Sequence, residues 1–476
     1  MGSMSAERLT TRPRVDAMTT RHYDIVVLGA GSGRMVLDEQ FQGLRTAIID
    51  HGPYGGTCLN RGCIPSKMFL HVAESAASVP ELARLGVDAR VDRVRWDDIR
   101  DRIFSRIDAH AESGPPAARK DGIDAYEGSA RFVGPRQLIV ESADGKTELT
   151  ADRIVLATGA HPIVPEVFSS SGVDFVTSDT VMRLPELPRR MLGVGGGPVG
   201  LEMAQMFTGL GVEVTLVAQD ATLAGPAGED IGRRYTEVLR ERLTMHLDTE
   251  VTGLRQQDDG IHAQLKDGTT LVTDLLLLAA GRAATTEGLG LAEAGVELDE
   301  RGRVVIDEFG RTSAEGVWAL GDVVNTLQLK HLANDQAHVI THNLLHPDDL
   351  KPLCSKAIPA AIFTDPQLAW IGSTLEQARE AGRDAVAFTQ RLADTAYGWA
   401  LEDTTSVCTV VVERGSGAVL GAQIMAPNAA TLIQPLVDAA AREESAREVA
   451  TRQLWIHPAP TELVENALLG AADAAS

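Results

Sequence analysis

Two copies of one local pattern predict an α/β protein with two Rossmann-like dinucleotide-binding domains, followed by a separate C-terminal α+β domain. In each copy an apolar, β-branched run feeds a glycine-rich turn, then a helical pattern, then a second apolar run. The first turn opens at Gly29 and the second at Gly195, 166 residues on. Such a repeat points to paired domains. Composition agrees, because 45 glycines and an aromatic content of only 4 % suit many tight strand-to-helix turns. At ~150 residues per domain, the 476 residues give about three domains.

Charge and hydropathy exclude other classes. There are 44 basic and 66 acidic residues, a net charge of −22 with no basic run, so nucleic acid is not an expected partner. No uninterrupted stretch of ~18 apolar residues exists, which argues against a membrane span. Residues 1–22 are polar without an apolar segment, unlike a secretory signal, so a cytoplasmic location is expected. Gly2, Ser3 and Met4 resemble a cloning remnant, and residues 1–20 are expected to form a disordered tail.

The first unit runs from the apolar segment Tyr23–Leu28 into Gly29, Gly31 and Gly33, then a helical pattern, then Thr46–Ile49 ending in Asp50. Glycines there let the backbone approach a pyrophosphate, and the acid accepts hydrogen bonds from ribose hydroxyls. Arg34 stands where the fingerprint has its third glycine, which loosens the expected helix–strand packing. The second unit is complete: Gly195, Gly197 and Gly200, with Val199 in the turn, precede a helix and the strand Val212–Val217. Its second strand ends in Ala218, where the first unit has Asp50.

Strand-rich sequence surrounds Ala130–Val140 and Arg153–Thr158; the latter ends in small residues through Thr158 and Gly159, suited to crossing near a bound dinucleotide. The strand Gly316–Leu320 ends in Gly321 and Asp322, a second acid beside the first site. From about Pro352 the pattern changes, and Leu432–Ala441 is apolar at helical spacing.

Of four cysteines, Cys58 and Cys63 stand close together in a segment that begins five residues after Asp50. A close pair in a reducing compartment is catalytic or metal-binding rather than structural, and no partner set completes a zinc site. No metal is expected. Cysteines at this spacing need a glycine-distorted turn to reach bonding range. Lys67, one turn beyond Cys63, could stabilise a thiolate and an electron-rich flavin.

The stretch from Gly55 to Lys67 (GGTCLNRGCIPSK) resembles the signature of the pyridine nucleotide–disulfide oxidoreductases. The resemblance runs over about residues 21–470 and takes in both glycine units, Ala157–Gly159, Gly281 with Arg282, the strand end at Asp322, and a C-terminal His457-Pro458 with Glu462. It implies FAD at Gly29, Gly31, Gly33, Asp50, Gly56, Thr57, Lys67, Ala130, Thr158, Gly159, Arg282 and Asp322. It implies NADPH or NADH at Gly195, Gly197, Val199, Gly200, Glu202 and Gly281. Cys58 would attack a small-molecule disulfide, and Cys63 would be the thiolate beside the flavin. Lys67 would pair with Glu202, and His457, oriented by Glu462, would protonate the leaving thiolate. The family's histidine reaches across a dimer interface, so a homodimer is implied. The implied division is an FAD domain over 21–160 and 284–351, a nicotinamide domain over 161–283, and a dimerisation domain over 352–476. The family's paired arginines for a 2′-phosphate are replaced by Gln219 and Gly225, so shallow coenzyme discrimination is expected. A non-turnover flavoprotein is the competing class, and the joint presence of Cys58, Cys63, His457 and Glu462 argues for the enzyme.

Overall fold

The run Ile25-Val26-Val27 is wholly buried because its residues face two different cores: Val26 packs with Leu28 and Ile154, while Ile25 and Val27 pack with Val36 and Leu37. A strand covered on both faces is apolar throughout instead of alternating. The computed structural model describes residues 20–354 and 356–476. The expected tail therefore lies outside the described residues up to residue 19, and Thr20 already opens the first strand, Thr20–Leu28.

That strand is central in a parallel sheet, flanked by Thr46–Asp50 and Gly145–Leu156, with Ile123–Gly134 and Val317–Ala319 beyond them. Gln137–Ser142 runs antiparallel between Ile123–Gly134 and Gly145–Leu156. A second parallel sheet is ordered Thr244–His246, Glu213–Val217, Arg190–Val194, Leu275–Leu278, Val176–Thr177. The chain passes between the sheets through a two-stranded link, Ala160–Pro162 with Arg282–Ala284. The C-terminal region is a five-stranded antiparallel sheet covered by Glu462–Ala475, which buries Leu463, Val464, Ala467, Leu468 and Ala471. The fold is thus the α/β class expected, with two Rossmann-like units and a C-terminal α+β unit. Among the described residues no helix is long and apolar enough to cross a membrane.

One expectation fails. No α-helix follows the first glycine turn; the chain forms two short 3-10 turns instead, Ser32–Val36 and Glu39–Phe41. The Asp38 side chain accepts from the Gln40 amide at 2.9 Å, the competing local bond that makes aspartate a helix starter rather than an interior residue. Two carbonyls at the break take side-chain donors: Val36 accepts from the distant Thr341 hydroxyl at 3.1 Å and Leu37 from Arg34 Nη1 at 2.6 Å.

Candidate active site

The first glycine turn lies against the end of Gly145–Leu156 so closely that side chains are excluded. A Cβ on Gly29 would stand 2.2 Å from the Ala157 carbonyl oxygen, and one on Gly33 only 2.7 Å from the Ala157 Cβ. Gly33, rather than the position held by Arg34, therefore supplies the close packing expected of a third glycine. Arg34 turns away and pairs with Asp121 at 2.7 Å. Across the groove, a Cβ on Gly56 would come within 2.8 Å of the Gly31 Cα. Asp50 ties the turn together, accepting from the Ala30 amide at 2.7 Å and the Gly52 amide at 2.9 Å. This bare-backbone groove, with the half-buried Asp322 beside it, fits the diphosphate and ribose of FAD. Burial pushes the Asp322 carboxyl up, while Arg282 and Lys330 oppose it.

Thr57 and Cys58 lie in the short helix Gly56–Asn60, and Cys63 opens the long helix Cys63–Glu81. The kink between them is at Gly62, where a Cβ would stand 2.9 Å from the Thr57 carbonyl oxygen. Asn60 braces the segment by donating to the carbonyls of Pro53, Tyr54 and Gly56 at 2.9–3.1 Å. The two cysteines are free thiols in hydrogen-bond contact. That contact holds Cys63 down to about 7, helped by Lys67, and pushes Cys58 up, as does burial. The pair therefore ionises at Cys63 first.

Lys67 donates to Glu202 Oε2 at 2.5 Å and lies 4.5 Å from the Phe363 ring centre. The second carboxylate oxygen of the buried Glu202 accepts from the Phe363 amide at 3.1 Å. Glu202 belongs to the helix Pro198–Gly209, which also holds Val199 and Gly200 and is capped by Gly197. Cβ atoms at Gly195 and Gly200 would meet the carbonyl oxygens of Ala279 and Gly195 at 2.2 and 2.0 Å, so this second turn is also shaped for bare backbone. Its 12-residue helix leaves unpaired amides at an N-terminus able to receive a nicotinamide dinucleotide's diphosphate.

Other expected site residues sit nearby or apart. Thr158 donates to the Thr285 carbonyl at 2.8 Å, and Gly159 has φ +71°. Arg282, next to Gly281, donates to the Ala160 carbonyl at 2.5 Å and lies 3.7 Å from Asp179, which also faces Arg61 at 3.5 Å. Ala130 lies in Ile123–Gly134 opposite Val140, with no hydrogen bond to the glycine turn. His457 hydrogen-bonds Glu462, whose other carboxylate oxygen is buried without a partner. The His457 ring is 69 % exposed, and no bond joins it to the cysteines of its own chain. Sequence reasoning assigned no role to Asn60, although it stands within the Gly55–Lys67 stretch, and missed Asp179, Glu250 and Lys330, none of which stands in a local pattern that would flag it.

Residues 23–337 match the pyridine nucleotide-disulphide oxidoreductase family and residues 358–468 its dimerisation domain. The chain belongs to this family and is an NAD(P)H-dependent flavoprotein disulfide oxidoreductase, using FAD and a nicotinamide coenzyme. It is 44 % identical to the mycothione reductase of Mycobacterium tuberculosis, over 94 % of this chain and 99 % of that one. It is 32 % identical to the dihydrolipoyl dehydrogenase of Thermus scotoductus, over 95 % and 97 % of the two chains. Among solved structures, the HOCl-induced flavoprotein disulfide reductase RclA of Escherichia coli superimposes with a TM-score of 0.83 at 25 % identity, covering 94 % of this chain and 99 % of that one.

Proposed function

We propose that the protein reduces mycothione, the disulfide of mycothiol, in the cytoplasm, working as a homodimer through residues 352–476. The likeness to the mycothione reductase supports the substrate, and the split ionisation of Cys58 and Cys63 beside the Lys67–Glu202 pair carries the chemistry. FAD, held by the groove at Gly29, Gly31, Gly33, Asp50, Gly56, Thr57, Thr158, Gly159, Arg282 and Asp322, with Ala130 on the neighbouring strand, supplies a two-electron path from nicotinamide to the Cys58–Cys63 disulfide. Gly195, Gly197, Val199, Gly200 and Gly281 receive the nicotinamide dinucleotide.

In the dithiol form Cys58 gives its proton to the neutral His457 imidazole, and the thiolate so formed attacks one sulfur of the substrate disulfide. The S–S bond breaks, one thiol leaves, and Cys58 is held in a mixed disulfide. His457, oriented by Glu462, gives the leaving thiolate its proton. The Cys63 thiolate then attacks Cys58, releasing the second thiol and restoring the intramolecular disulfide. Lys67 holds the Cys63 charge, and Glu202 fixes the Lys67 ammonium.

Turnover of purified protein with mycothione, glutathione disulfide and lipoamide is the direct test. Mycothione should give the highest kcat/KM; a preference for lipoamide would assign a dihydrolipoamide dehydrogenase instead. The protein should purify yellow with about one FAD per chain. Gly31→Ala, which puts a methyl into the groove, should weaken FAD binding at least ~10-fold, or ~1.4 kcal/mol, read by flavin fluorescence on dilution.

The coenzyme site has acquired an acid. Gln219 donates to Glu250 Oε2 at 2.7 Å, so a carboxylate missing from the strand end arrives from beyond the neighbouring strand, Thr244–His246. That charge opposes a 2′-phosphate and favours NADH. A Cβ at Gly225 meets nothing within 4 Å, so a side chain can be added there. Gln219→Arg with Gly225→Arg restores two charge-assisted contacts, each worth roughly 1.5–3 kcal/mol. The double variant should raise kcat/KM for NADPH at least ~10-fold and leave NADH nearly unchanged; a wild-type NADPH preference above ~100-fold, about 2.7 kcal/mol, would place the phosphate on other residues.

A further inference from the structure

We propose that Lys330 is a ligand of the FAD diphosphate, its ammonium supplying the positive charge that the first glycine turn does not obtain from a helix of its own. This rests on the reading of that turn as the FAD site. In a dinucleotide-binding unit the diphosphate is met by the unpaired amides and the dipole of the α-helix that follows the glycines. The second unit has such a helix, Pro198–Gly209, of 12 residues. The first has only the 5-residue 3-10 turn Ser32–Val36, whose chain breaks at Leu37. So short a turn aligns too few peptide dipoles to build a comparable charge at its start. Its own cation does not help either. Arg34 pairs with Asp121 at 2.7 Å and donates to the Leu37 carbonyl at 2.6 Å.

Lys330 is brought to this turn from elsewhere in the chain. It opens the helix Lys330–Leu345, which packs on Ser32–Val36. Its ammonium donates to Ser32 Oγ at 2.8 Å and Asn334 Oδ1 at 2.7 Å, and Ser32 Oγ itself donates to Asn334 Oδ1 at 3.1 Å. Ser32 stands between Gly31 and Gly33, whose bare backbone closes against Gly56 and Ala157. The head group is thus fixed at the groove, on the one residue of the Gly31–Gly33 run that carries a side chain.

Both of these partners are neutral. Among the described residues no carboxylate lies within ion-pair distance of Lys330, and its side chain is half-buried. A cation in that position is unfavourable without a counter-charge, and burial indeed lowers the Lys330 ammonium. A dianionic diphosphate in the groove would be that counter-charge. Lys67, by contrast, already has its carboxylate in Glu202 at 2.5 Å.

The test is the FAD dissociation constant, read by flavin fluorescence on dilution of purified holoprotein, in wild type, Lys330→Gln, Lys330→Arg and Lys330→Met. Glutamine can still donate to Ser32 and Asn334 but carries no charge, so it separates the ion pair from a merely structural tie between helix and turn. Lys330→Gln should weaken FAD binding at least ~10-fold, or ~1.4 kcal/mol. Lys330→Arg should stay within ~3-fold of wild type, because a charge-assisted contact survives. Lys330→Met guards against misfolding of the glutamine variant and should bind FAD as weakly as it does. Thermal unfolding of the flavin-free forms should be the same in all four. Wild-type affinity in Lys330→Gln, an arginine variant as weak as glutamine, or a methionine variant far weaker than glutamine overturns the proposal. Failure of the underlying reading looks different: the wild-type protein itself would then hold no flavin.

Discussion

Cys58→Ser and Cys63→Ser are each expected to abolish disulfide reduction while FAD stays bound. Neither thiol holds the groove together, since that task falls to Asn60, Asp50 and the glycines, and each is obligatory in one covalent relay. The variants should differ in colour. Reduction by nicotinamide should leave a long-wavelength charge-transfer band in Cys58→Ser, where the Cys63 thiolate remains, and none in Cys63→Ser. In the wild type the band should grow as pH rises through about 7, the value to which Cys63 is held down by the Cys58 hydrogen bond and Lys67. Below that pH the thiol is protonated and the donor is lost. Removing the donor at position 58 altogether, as in Cys58→Ala, should move the midpoint higher. A band that survives in Cys63→Ser would exchange the two roles.

The second large effect belongs to His457. Replacing it by glutamine removes the acid that protonates the leaving thiolate, and turnover should fall by ~10²-fold or more, with FAD content and nicotinamide reduction of the flavin unchanged. The loss should shrink for substrates whose thiols are more acidic, because a better leaving group needs the proton less. Glu462→Gln should cost less, since it disturbs the orientation of the ring and leaves the imidazole in place. The exposure of His457 and its lack of any bond to the cysteines of its own chain suit action on a partner's site. Mixed dimers of Cys58→Ser and His457→Gln chains decide this. Acting across the interface, each mixed dimer regains one intact site, whereas acting within the chain both sites stay dead and no activity returns on mixing.

Much of this centre is legible in the amino-acid sequence because its chemistry is local along the chain. A backbone that touches a diphosphate needs glycines in consecutive turns, and a thiol pair that must open and close needs its cysteines within one short kinked segment. Such requirements leave a mark in a dozen adjacent letters, from Gly55 to Lys67 and at Gly29 and Gly195. The α/β class follows equally from apolar runs covered on both faces.

The helix expected after Gly33 fails to form for a complementary reason. Its residues have adequate helical pattern, but helix formation is decided by where backbone carbonyls find donors, and the carbonyl of Val36 finds one on Thr341, 305 residues away. No window of sequence contains that bond. The same holds for the electrostatics of the centre. Glu202 cancels Lys67 across 135 residues, Glu250 reaches Gln219 from a neighbouring loop, and Lys330 enters the first glycine turn from 298 residues downstream. By itself the sequence determined which groups could react and which backbone could lie bare, because those depend on residue type and near neighbours. Only the tertiary structure decided which charges are cancelled within the chain and which face a ligand groove, because Coulomb forces act through space and take no account of distance along the chain.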